Sequence, residues 1–126
     1  MTPEQAEKYN IPAIQGRRKE WHRFDQVYNV VNKKGIITEL KNGRPRWIVY
    51  EDGFCVNDPW EILIWIPRTI DDEQPQRGLW GMVKDLTGIY QKKPGGNWYC
   101  FGYGFECQAA TPTDALLQAI AEQNKP

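Results

Sequence analysis

Serine is absent from the 126 residues, and histidine occurs once, as His22. The first absence excludes serine-hydrolase chemistry. The second leaves a single imidazole for any general-base or metal-ligating duty. Cysteine is scarce too: Cys55, Cys100 and Cys107 are odd in number and lack CxxC spacing, a poor basis for a disulfide framework or a zinc site. All three read as reduced structural thiols. Cys100 and Cys107 lie seven apart, which on one continuous strand turns them to opposite faces. No apolar run approaches the ~18 residues of a membrane span, and the longest is "ILIWI". The polar start "MTPEQAEKYN" carries no signal-peptide apolar region, so a cytoplasmic protein without membrane partners is expected. Repeats, low-complexity tracts and Gly/Ser linkers are also missing, which predicts one domain over 1–126.

What is present is globular in composition, with 40% hydrophobic, 13% aromatic and 25% charged residues. The formal net charge of zero hides a split along the chain. Residues 1–50 hold ten Lys/Arg against five acids, and residues 51–126 hold six against eleven. Such asymmetry suits a charged partner or a nucleic-acid face, and equally suits two halves that pair with each other in one fold.

Local signals predict several elements. "TPEQAEKY" has Thr2 as cap, Pro3 in the first turn and Gln5 to close a capping box, with Pro12 and Gly16 as stops. Trp21, Phe24, Tyr28 and Val31 recur at helical spacing, whereas "VYNVV" has strand composition, so residues 18–31 read as helix passing into extended chain. Asn42-Gly43 between two β-rich runs predicts a hairpin, with Pro45 tolerated near a strand start. "NDPWEILIWIP" combines a helix start at Asp58–Glu61 with the content of a buried strand. Leu79, Trp80, Val83 and Leu86 predict an amphipathic helix ended by Gly88. The ribbon "WYCFGYGFECQ" reads as the second strand of a hairpin closed by "KKPGGN". Continuous alternation sets Tyr99, Phe101, Tyr103 and Phe105 on one face and Trp98, Cys100, Gly102, Gly104 and Glu106 on the other. A face with two glycines admits a closely packed helix. Thr111, Pro112 and Asp114 start one, with Ala115, Leu116, Ala119 and Ile120 as its apolar stripe. The expected fold is α+β: an antiparallel sheet of two hairpins with the C-terminal helix packed on one face.

Few motifs carry chemistry. Cysteine catalysis requires His22 to meet a thiol that reads as structural. HExxH, EF-hand, Walker and complete GxGxxG patterns are all absent, and Asp71-Asp72-Glu73 reads as a solvated loop. Carboxylate pairs of glycosidase type stay open, because their separation belongs to the fold. No catalytic residue, metal or cofactor is therefore assigned. The aromatic ribbon has three readings. It is core if another element covers it, or a docking surface if left open, since tyrosine and tryptophan are hot-spot types. As the third, Tyr99, Phe101, Tyr103 and Phe105 stack single-stranded nucleic acid while Lys92, Lys93, Arg44 and Arg46 hold phosphates. Against that last reading stand a pI near 6.6 and the absence of an RRM-type element order.

The C-terminal text "NWYCFGYGFECQAATPTDALLQAIAEQNK" resembles the ending of small bacteriophage and prophage accessory proteins, through Trp98, Thr111, Pro112, Ala115 and Leu116. The resemblance covers about thirty of 126 residues. It implies a phage or mobile-element origin and action by binding a host protein or nucleoprotein complex, including as an anti-defence inhibitor. It assigns no catalytic residue. The expectation is a non-catalytic binding protein, with a single-stranded nucleic-acid-binding module as the alternative.

Overall fold

A computed structural model describes residues 1–57 and 63–126, with residues 56 and 57 described by their backbone. The helix start expected at Asp58–Glu61 lies outside the described residues. The chain divides into two compact units, Met1–Pro67 and Arg68–Pro126.

The first unit opens with α1 (Pro3–Glu7). The Thr2 hydroxyl accepts from the Gln5 N–H at 3.2 Å and the Gln5 side chain accepts from the Thr2 N–H at 2.8 Å, which completes the expected capping box. Pro12 starts a further turn, α2 (Pro12–Gln15), because a missing N–H is harmless at the first helical position. The helix expected early in residues 18–31 does not form. Lys19 and Phe24 take positive φ of 58° and 73°, which ends any helical run, and β1 (Gln26–Asn29) follows. The apparent helical period was composed of unlike parts: Trp21 packs on the core, Tyr28 is buried in β1, and Phe24 and Val31 are exposed.

β2 (Lys33–Lys41) and β3 (Arg44–Tyr50) form the hairpin signalled by Asn42-Gly43. Those two residues take φ of 53° and 75°, the paired positive values of a type I′ turn. Bulges near Thr38 and Arg46 shift the register toward the tip, where Lys41 faces Arg44. β4 (Cys55–Asn57) and β5 (Ile64–Ile66) complete an antiparallel sheet of order β4-β3-β2-β1-β5. "IWI" is thus strand. One core cluster gathers Val27, Ile37, Ile48 and Tyr50, with Trp21, Leu40 and Leu63 packed against it. The β5 edge is closed by a side chain in place of a strand. The Gln15 amide donates to the Trp65 carbonyl at 2.9 Å and accepts from the Trp65 N–H at 3.0 Å, satisfying both backbone groups.

In the second unit a 3₁₀ turn at Pro75–Arg77 leads into α3 (Leu79–Met82). The longer helix expected to reach Leu86 stops here. Gly81 lies so close to the Pro75 carbonyl that no Cβ fits, Val83 is extended, and Asp85 at φ 58° turns the chain away. Leu86 instead opens β6 (Leu86–Gln91), with Gly88 inside that strand. β7 (Trp98–Gly102) and β8 (Phe105–Ala109) complete a second antiparallel sheet, order β6-β7-β8. The ribbon expected as one strand is therefore two, folded at Tyr103-Gly104. Here φ is positive only at Gly104, at 82°.

α4 (Pro112–Gln123) packs on β7 and β8, as the expected architecture required. The Thr111 hydroxyl accepts from the Asp114 N–H at 3.1 Å, and Ala115, Leu116, Ala119 and Ile120 are fully buried. Gly102 has a different role from the one expected. Its Cβ would strike the Asp85 carbonyl and the Phe105 ring, not the helix. The Gln123 amide repeats the edge device of Gln15, bonding the Lys84 N–H and carbonyl at 2.8 Å each. The two units carry ten cations against nine acids and six against seven. The charge split between chain halves is therefore not a split between units, because Glu51, Asp52, Asp58 and Glu61 fall in the first.

Candidate binding surface

The register of the second sheet decides which ribbon side chains meet. Tyr90 faces Tyr99, Gly88 faces Phe101, Phe101 faces Glu106 and Tyr99 faces Gln108. Residues directly opposed share a face, so Tyr90, Tyr99, Phe101, Glu106 and Gln108 make up the side turned away from Cys100 and Cys107. The four-ring row expected from continuous alternation is corrected accordingly. Tyr99 and Phe101 stay together, Tyr103 occupies the turn, and Phe105 moves to the face of Cys100. Alternation cannot be carried through a two-residue turn, because the chain reverses there. Tyr90 replaces the lost members. It was legible only through pairing between strands, which no local spacing reports.

These rings engage one another. Tyr90 stacks on Tyr99 with centroids 5.2 Å apart and planes 20° from parallel, and meets Phe101 edge-on at 5.4 Å. The Lys92 ammonium lies 4.4 Å from the Tyr99 centroid, a cation–π contact worth about 0.5–1 kcal/mol at an exposed site. Phe101 covers the bare backbone of Gly88, whose Cβ position is 3.7 Å from the ring. At the end of the hairpin Tyr103 is 92% exposed. At the opposite end of β7, the loop of residues 92–97 is held by the Gly96 N–H bonding the Lys93 carbonyl at 3.0 Å, and by the Gln91 amide donating to the Gly96 carbonyl at 2.9 Å.

The proposed phosphate-holding residues are divided between the units. Lys92 and Lys93 accompany Tyr99 and Phe101. Arg44 and Arg46 belong to the first unit, where Arg46 lies 3.5 Å from Glu39. Of the thiols, Cys55 is exposed, in contrast to the structural placement expected, while Cys100 and Cys107 are buried. Burial pushes the Cys100 thiol up to about 11 with help from neighbouring Cys107; burial, then Glu122 and Glu106, raises Cys107. Both are held as poor nucleophiles. His22 lies 3.0 Å from Glu20, an arrangement that orients the ring on an exposed loop. Among the described residues no group of three or more His, Cys, Asp or Glu could hold a metal ion. No described helix is long and apolar enough to cross a membrane. Family models, curated proteins and solved structures offer no match to the chain, so the reading of this surface rests on its own geometry.

Proposed function

We propose that the protein acts by binding another protein through the outer face of its second sheet, without chemistry of its own. The supporting observation is the Tyr90–Tyr99–Phe101 ladder on the face opposite the helix-covered one, with Tyr90 exposed, Tyr99 and Phe101 half-buried, and exposed Tyr103 at its end. Tyrosines on a stiff β scaffold give large amphipathic contact area at little cost in side-chain order, as protein interfaces favour. The stacking of Tyr90 on Tyr99 favours a protein ligand at this face over stacked bases, which need an open ring surface. A host protein or nucleoprotein complex, the target class of phage accessory proteins, is the partner this reading favours.

The test is affinity capture from nuclease-treated bacterial lysate with the wild type and a Tyr90→Ala/Tyr103→Ala variant. A stoichiometric protein retained by the wild type and lost by the variant supports the reading. Identical captures by the two proteins overturn it.

A further inference from the structure

The first unit carries a second surface, separate from the tyrosine ladder and independent of the reading given to it. Its sequence core is "RRKEWHRF", residues 17–24, with four cations among eight residues. Backbone and side-chain bonds place the end of this loop beside β2. The Phe24 N–H donates to the Ile37 carbonyl at 2.7 Å, and the Arg23 Nε donates to the Thr38 carbonyl at 3.0 Å. Thr38 is three residues from Lys41, or about 10 Å along a strand, and Lys41 faces Arg44 across the hairpin tip. Trp21 and Leu40 pack against the same core cluster. This part of the first unit therefore brings Arg23 toward Lys41, Arg44 and Arg46, and the same loop carries Arg17, Arg18 and Lys19, seven cations against three acids, Glu20, Asp25 and Glu39. Each acid already has a contact: Glu20 with His22, Asp25 with the His22 N–H at 2.7 Å, and Glu39 with Arg46.

The rings at this end are arranged unlike those of the second sheet. The Arg18 guanidinium lies 3.8 Å from the Trp21 centroid, and that of Arg23 lies 4.8 Å from the Phe24 centroid. Phe24 is 55% exposed and held at positive φ, a conformation costly for a bulky residue and sustained by the Ile37 and Thr38 anchors. We infer that this end of the first unit binds single-stranded nucleic acid, with the arginines and lysines on phosphates and an unpaired base against Phe24. Five of the seven cations are arginines, whose planar forks match phosphate oxygens. An exposed ring beside them supplies the stacking contact that an acidic peptide would not need.

The probe is a fluorescein-labelled 15-nucleotide oligothymidylate, titrated by anisotropy between 50 and 200 mM KCl. The wild type is expected to bind with affinity that falls steeply with salt. Arg17→Gln/Lys19→Gln/Arg44→Gln is expected to weaken binding and flatten the slope of log K against log salt by about 0.7 for each phosphate no longer neutralised. Phe24→Asn, which keeps a residue tolerant of positive φ, is expected to cost at least about fivefold in affinity with an unchanged slope. Lys33→Gln/Lys34→Gln, at the opposite end of β2, should leave both readings near wild type, and thermal melts confirm that each variant folds. Absent binding at 50 mM KCl overturns the inference. So does competition by polyglutamate as strong as that by unlabelled oligonucleotide with no effect of Phe24→Asn, which would assign the surface to acidic proteins.

Discussion

Cys100 and Cys107 sit directly opposite each other in the β7–β8 ladder, both buried on the side where α4 packs. A thiol whose folded pKa exceeds its unfolded value supports the fold only while protonated in both states. Its contribution is complete below the ordinary value of 9.0 and is lost as pH rises toward the folded value of about 11. Stability should therefore fall across pH 9 to 11, by an amount on the order of 2 kcal/mol for Cys100. Urea unfolding at pH 8 and pH 10.5 checks this. Cys100→Ala, though less stable throughout, should show a shallower alkaline decline.

Accessibility separates the three thiols in a second way. Cys55 is exposed, whereas the other two are shielded. Iodoacetamide at pH 8 should modify Cys55 within minutes and leave Cys100 and Cys107 to react only after unfolding, as intact-mass spectra would record. Rapid addition of three groups to the native protein would contradict the packing of α4 on the second sheet.

Gln15 gives a prediction about the first sheet. Its amide bonds the Tyr9 carbonyl at 2.9 Å as well as both backbone groups of Trp65, so one side chain ties the region after α1 to the β5 edge. Gln15→Ala should destabilise by roughly 1–3 kcal/mol, since it leaves backbone groups near a buried edge without partners. Gln15→Glu keeps the acceptor for the Trp65 N–H but turns a carboxylate oxygen on the Tyr9 and Trp65 carbonyls, and should cost at least as much as Gln15→Ala. The readout is a lower urea midpoint at unchanged m value.

The elements that sequence made legible were those fixed by chemistry within a few residues. Thr2 and Gln5, Asn42-Gly43, and Thr111 with Pro112 each satisfy local backbone demands, so they behave alike in almost any fold. The α+β class and the C-terminal helix followed from them. What escaped was decided by distant partners. Helical spacing through Trp21 and Phe24 yielded to bonds with Ile37 and Thr38, and the helix expected through Leu86 yielded to the strand that pairs with β7. The tyrosine ladder was half legible, through Tyr99 and Phe101. Tyr90 joins it only by register. The basic end of the first sheet was visible as separate residues, Arg44 and Arg46 among them, but its unity depends on the loop that brings Arg23 to β2.

Gly102 and Gly104 flank Tyr103, and they should respond differently to the same substitution. At Gly102 a Cβ would meet the Asp85 carbonyl, backbone that cannot yield without moving the turn into β6. At Gly104 nothing lies within 4 Å of the Cβ position, but φ is 82°. Gly104→Ala should therefore cost about 1–2 kcal/mol of backbone strain and leave the sheet intact. Gly104→Asn should recover part of that loss, because asparagine tolerates positive φ. Gly102→Ala should cost more than either and should also disturb the ladder, since Asp85 precedes the strand carrying Tyr90. Thermal melts rank the stabilities, and near-ultraviolet circular dichroism reports the ring packing. If Gly102→Ala proves as mild as Gly104→Ala, the close approach of β7 to Asp85 is wrong. The placement of Tyr90 beside Tyr99, on which the proposed binding surface depends, would then lose its support.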